Sequence, residues 1–320
     1  MPTSPTEKRG YHWVSRELAR MDPETEWERM ISLYTQYQVN EFALALMIYP
    51  VTMHVMQPSL GSATLDHTRK LELKPHRRFQ DGNDFFMHWM VDGPSSEAGK
   101  QAVTRLNRMH MAIARETPHL PGNFDDNDDF IFPLVQIATF GHRLQRALGL
   151  PGLPEHMKIA WHHWSAAVFQ LFERESGPVS GFPEDYDAMI AFAEEFDARP
   201  YERTDSGQRV ATAMMNFWAE RWFPRPLQSF GRDLTRYLAG ERTCRIHGIG
   251  WITPGRERVI RLFLKTMFRA QGLAPESRTP VTEKLKKTRL TNQQLKELEP
   301  YEGSVRRAQE RGDRTASTTA

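Results

Sequence analysis

Of the twelve histidines in this 320-residue chain, His110 has the setting most suggestive of chemistry. It shares a stripe with Val103, Leu106 and Ile113, which recur at intervals of three and four, the spacing of one helical face. An imidazole on an otherwise apolar face has two ordinary fates. The commoner is a core residue whose ring nitrogens are hydrogen-bonded. The other is the single proximal ligand of a haem, which needs an axial imidazole and a lining rich in aromatics, Met and Leu. Spacing alone leaves both open. His162 and His163 are adjacent, about 100° apart around a helix, so they cannot both point at one metal. One is expected buried and hydrogen-bonded, the other at the surface. His142, after Gly141 on a different helix, is the next cofactor candidate.

Other chemistries are excluded by spacing. Gly93-Pro94-Ser95-Ser96-Glu97-Ala98-Gly99-Lys100 has five residues between its glycines, not four, and Gln101 where a phosphate loop needs a hydroxyl. The only Glu-x-x-His, Glu116 to His119, is broken by Pro118, which rules out a carboxylate-bridged di-iron bundle. Ser180 in GPVSG lacks the spacing of a nucleophile elbow. Cys244 stands alone, so there is no intramolecular disulfide and no cysteine-cluster metal site.

A lone cysteine suits a reducing compartment. With no apolar h-region at the N-terminus, the expected location is cytoplasmic. Forty-two Lys and Arg against 40 acids give no electrostatic case for nucleic acid. The most lipid-like run, Phe42–Met56, is too short to span a bilayer, which takes about 20 apolar residues, and Pro50 interrupts it. No transmembrane span is expected, and a peripheral membrane contact is left open.

The elements that must position these residues are helices. Ser95 and Ser96 open a helix that Pro118 closes. Asp22-Pro23-Glu24 starts another, carrying Trp27, Met30, Ile31 and Tyr34 and running as far as Tyr49, where Pro50 should kink or end it. Further helices are predicted around Leu65–Leu71 and Phe85–Val91, then from Asp129 with Pro133 in its first turn. They continue over Pro154–Arg174, from Phe182, over Thr204–Trp222 and Leu227–Leu238, and from Pro254 to about Ala270. No stretch alternates with period two. The expected architecture is all-α, a single multi-helix domain over 22–270. Residues 1–21 read as a flexible lead-in and 271–320 as a polar, disordered tail.

Several separated stretches, taken in order, resemble the oxygenase family of the rubber oxygenase (latex clearing protein) and the fungal mycophenolic-acid oxygenase MpaB. They are Met21-Asp22-Pro23-Glu24, Arg78-x-x-Asp81 before Phe85-Phe86, Arg105-Leu106-Asn107-Arg108-Met109-His110, Asn127-Asp128-Asp129, Trp161-His162-His163-Trp164, and Pro183-x-x-Tyr186 followed by Phe192 and Phe196. The likeness spans roughly Asp22 to Ala270. It implies a globin-like helical core holding haem b, and dioxygen chemistry on carbon–carbon double bonds of a hydrophobic, isoprenoid-type or polyprenyl substrate. Carried over by position, His110 takes the place of the proximal iron ligand. Arg78 takes that of the distal-pocket arginine, a cation able to pair a propionate or orient bound oxygen, with Asp81 beside it in the same catalytic motif. Arg77 is close enough to contend with Arg78. The family often has threonine four residues after this arginine, and Gly82 stands there instead. A haem protein that senses or stores its ligand, and a helical scaffold without cofactor, are the competing expectations.

Overall fold

The computed structural model describes residues 10–298, which are helical almost throughout. In chain order α1 (Trp13–Leu18), α2 (Trp27–Gln38), α3 (Glu41–Val55), α4 (Ser59–Thr68), α5 (Lys70–Leu73) and α6 (Pro75–Met87) lead to a π-turn over His88–Asp92. Then come α7 (Glu97–Glu116), α8 (Asp128–Ala147), α9 (Glu155–Phe169), α10 (Tyr186–Ala198), α11 (Asp205–Trp222), α12 (Gln228–Ala239), α13 (Glu241–Ile246), α14 (Pro254–Leu273) and α15 (Val281–Thr288). Among the described residues the only strands are Glu173–Arg174 and Gly177–Pro178, a two-residue antiparallel pair after α9. The fold is all-α.

α8 is the central element. From Phe130 to Phe140 every residue but Pro133 is buried, and a helix apolar all round must be enclosed. α3, α9 and α10 enclose it. Asp128 and Asp129 in its first turn favour the positive end of the helix dipole. Pro133 lies five residues into α8, beyond the first turn where the sequence had put it.

The helix expected to run to Tyr49 breaks earlier, at Val39–Asn40, because the Asn40 side chain accepts from the Ala43 N–H (2.8 Å) and starts α3 afresh. Pro50 then sits inside α3 without ending it. The lipid-like run is therefore core, with Leu44, Leu46, Tyr49, Val51 and Met53 all buried.

Several elements meet at the π-turn. It packs on α2, α6 and α7 together, and the Trp89 carbonyl within it accepts from Trp164 Nε1 of α9 (3.1 Å). Ser96 Oγ accepts from the Gly99 N–H (3.0 Å) to cap α7, within a residue or two of the expected start. The preceding turn is fixed by the Glu28 carboxylate, which accepts from the Ser95 N–H (2.6 Å). Gly93 there has φ +82°, and a Cβ would run into Glu28.

Both expected loose ends are structured where they are described. Trp13, Val14 and Leu18 of α1 are buried, so the lead-in is part of the core from residue 13. After α14 the chain turns back over the bundle. Glu276 accepts from the Ser15 N–H (3.1 Å) and from Gln38 Nε2 (2.7 Å). Gln80 and Leu290 exchange two hydrogen bonds (3.0 and 3.2 Å), Arg289 pairs with Asp84 (2.6 Å), and Val281 and Leu295 are buried. Residues 271–298 are thus a packed strap rather than a tail, because each contact ties a polar residue to a partner far away in sequence. Residues 1–9 and 299–320, the remainder of those two expectations, lie outside the described residues.

Candidate active site

His110 projects from the middle of α7. Its ring stacks face to face on Phe124 (centroids 4.0 Å, planes 5° apart) and lies 6.2 Å from the ring of Phe130. Its buried Nδ1 has no hydrogen-bond partner among the described residues. Burial pulls its pKa down to about 4, so the ring is neutral at pH 7 and keeps the lone pair that a metal requires. A satisfied core histidine would have a partner. Leu106 and Ile113, about one turn to either side, are only partly buried, so this face of α7 is not closed against a neighbouring helix.

The segment between α7 and α8 presents Phe124 to His110 at a conformational cost. Phe124 has φ +57°, the left-handed region that a bulky side chain occupies at about 1–2 kcal/mol. Its neighbour Asn123 holds the segment down: Thr64 Oγ1 donates to Asn123 Oδ1 (2.9 Å), and Asn123 Nδ2 donates to Thr117 Oγ1 (3.4 Å). Asp129 follows in the first turn of α8. Burial, with Asp126 and Asp128 nearby, raises its pKa to about 6, and its Oδ2 has no partner. Neither residue was legible as part of a site, since a backbone conformation and a buried helix-cap acid leave no signal in spacing.

Arg78 lies on α6. Burial lowers its pKa, opposed by the Tyr49 hydroxyl and Asp81. It forms no ion pair among the described residues, yet its side chain is not fully closed off. Arg78 is thus a half-buried cation without an ion pair. Gly82, one turn on, gives it room, because a Cβ there would stand 3.1 Å from Arg78 Nη1. The end of the guanidinium thus lies against the position a side chain at residue 82 would take.

Arg78 and His110 are not in contact. From the His110 side a run of rings reaches the helix that carries Arg78, passing from Phe130 to Phe172 (5.2 Å), to Trp89 in the π-turn (6.1 Å), and to Phe86 on α6 (6.0 Å). Asp81 is exposed and cannot line an enclosed pocket, contrary to its expected catalytic place.

His142 stands elsewhere, lining a cavity of about 540 Å³ with Tyr34, Met47, Ile137, Trp161 and Met267. Its Nδ1 accepts from the Leu153 N–H (3.0 Å), so the neutral ring carries its proton on Nε2 and has no lone pair left for iron. The structure does not bring it to His110. His162 and His163 are both half-buried, and each is bonded, to the Pro183 carbonyl (3.0 Å) and Glu24 (2.7 Å). Among the described residues no three His, Cys, Asp or Glu side chains converge on a metal-sized point. Any metal at this site would need a cofactor to supply its other ligands.

Fold and site together define an all-helical protein with a solitary, neutral, unpartnered imidazole against an aromatic interior. The same fold occurs in the latex clearing protein in its closed state, with a TM-score of 0.56 at 18% identity over 88% of this chain and 74% of that one. No curated protein matches the chain. Residues 35–269 match the family described as ER-bound oxygenase mpaB/B′/rubber oxygenase, catalytic domain. The chain belongs to that family. No helix among the described residues is long and apolar enough to cross a membrane.

Proposed function

We propose that this protein is a haem b-dependent oxygenase acting with dioxygen on a carbon–carbon double bond of a hydrophobic, isoprenoid-type substrate. The observation that carries the reading is the neutral imidazole of His110, whose buried Nδ1 has no partner among the described residues; by the resemblance it takes the place of the family's iron ligand. The residues fit the group: one nitrogen base and an aromatic lining, with a cation that has no ion pair among the described residues at Arg78 on α6. When bound, haem would supply the oxygen and redox chemistry. His110 would hold the iron, and the stacked Phe124 would fix the plane of the imidazole. Arg78 would place positive charge where a propionate or a developing negative charge needs it. The rings between α6 and α7 would exclude water.

The test is the absorption spectrum of purified protein supplied with haem, followed by oxygen uptake with a polyprenyl substrate. A Soret band lost in His110→Ala, with helicity retained, is the expected result. Equal haem content in variant and parent would refute the ligand assignment. A haem protein that binds its ligand without turnover is the second reading, favoured by the absence of a hydroxyl at Gly82. A Soret band without oxygen uptake would select it.

A further inference from the structure

α14 carries an unpartnered apolar face. Its buried side rests on Ile260 and Leu264. On the opposite side Val259, Leu262 and Leu273 are 58%, 68% and 77% exposed. At about 100° per residue, these three fall within one sector of roughly 60°, bordered by Phe263, whose ring packs edge-on against Phe230 (5.3 Å). The adjoining sector holds Arg258, Arg261, Lys265 and Arg269, against the single acid Glu257 in the whole helix. Arg258, Lys265 and Arg269 form no ion pair among the described residues, so their charge is unspent.

We infer that α14 docks the protein in the plane of an anionic lipid surface, with Val259, Leu262 and Leu273 inserted, Leu262 on the side next to the cations, and the arginine–lysine row against the headgroups. An apolar sector flanked by cations along a helix that does not span is the pattern of an interfacial helix. A second copy of the chain packed antiparallel through this face is a poorer occupant, because that two-fold contact would bring the two cationic rows together. The inner edge of α14, at Met267, Phe268, Gln271 and Gly272, lines the 540 Å³ cavity, so the lipid surface would meet the protein where that cavity is walled. The inference stands independently of the haem reading.

The experiment is co-sedimentation of the full chain with phosphatidylcholine vesicles, with and without phosphatidylglycerol, at low and high salt. Binding to the anionic vesicles that weakens with salt is expected. Leu262→Glu, a change at an exposed position, should lower partitioning about tenfold or more while the far-UV circular dichroism is unchanged. Removing Arg258, Lys265 and Arg269 charges as glutamines should cost roughly fivefold each on anionic vesicles. Failure to sediment with either vesicle, or equal partitioning of Leu262→Glu and parent, would overturn the inference. So would self-association without lipid that Leu262→Glu abolishes, which would make the face an interface between copies.

Discussion

The neutral imidazole of His110 makes a thermodynamic demand that can be read without any cofactor. Its pKa is about 4 in the folded protein against an ordinary 6.5, so between those values unfolded chains bind a proton that folded ones refuse. Stability therefore falls as pH drops from 6.5 to 4, and at about 1.4 kcal/mol per pH unit the loss approaches roughly 3 kcal/mol. Asp129 acts in the opposite sense. Its folded pKa of about 6 lies above the ordinary 3.8, so the folded state takes up a proton first and gains stability as pH falls through 6, again by roughly 3 kcal/mol. In the cofactor-free parent the two slopes should nearly cancel. His110→Phe keeps the stack on Phe124, removes the titration, and should become more stable relative to the parent with every step from pH 7 to 4. Asp129→Asn should tilt the other way. At pH 7 His110→Phe should also gain about 1 kcal/mol or more, because the unsatisfied Nδ1 is gone. The assay is urea unfolding across this pH range, read from midpoints at constant m. A His110→Phe variant with the parent's pH slope would mean that the imidazole is not held neutral, and the argument for a vacant lone pair would fall with it.

Arg78→Met should raise the stability of the cofactor-free protein by about 1 kcal/mol or more, since a buried cation without an ion pair is removed, while lowering oxygen uptake of the haem-loaded protein. A loss of stability in thermal melts would show that Arg78 is a packing residue. Gly82→Thr should not restore a family-like pocket but displace the guanidinium, lowering stability in the same assay; an unchanged melting temperature would refute the crowding at 3.1 Å. Truncation after Leu273 removes the Glu276 acceptor together with buried Val281 and Leu295, and should cost at least about 3 kcal/mol; an unaltered melting temperature would return this strap to the status of a tail.

What was legible in the sequence was what local period can carry. The stripe of Val103, Leu106, His110 and Ile113 marked α7, and the capping acids before Ile131, Leu134, Ile137 and Ala138 marked α8, although not that it is enclosed on all sides. What was hidden depends on partners distant in the chain. Glu276 is one acid in a polar stretch, and only the fold puts it beside Ser15 and Gln38. Trp13, Val14 and Leu18 are too few to show a helical period, as are Val281 and Leu295 in the strap. The departure at Gly82 could be read, but its meaning required the position of the Arg78 guanidinium.

Histidine shows the same limit most sharply. His54 Nδ1 meets Asp197 at 2.7 Å, and His247 Nε2 meets the Met53 carbonyl at 2.7 Å; both are core residues with their bonds made. His76 Nδ1 is also unpartnered, but it lies beside Arg221 in a separate cavity of about 360 Å³ roofed by α15. His110 has no cation beside it and no acceptor, only rings. An unmet buried nitrogen is a cost of about 1–3 kcal/mol, and here a strained Phe124 adds to it. Two unfavourable terms on one stacked pair are hard to explain as packing, and they fit a site shaped for a group that the polypeptide does not itself provide.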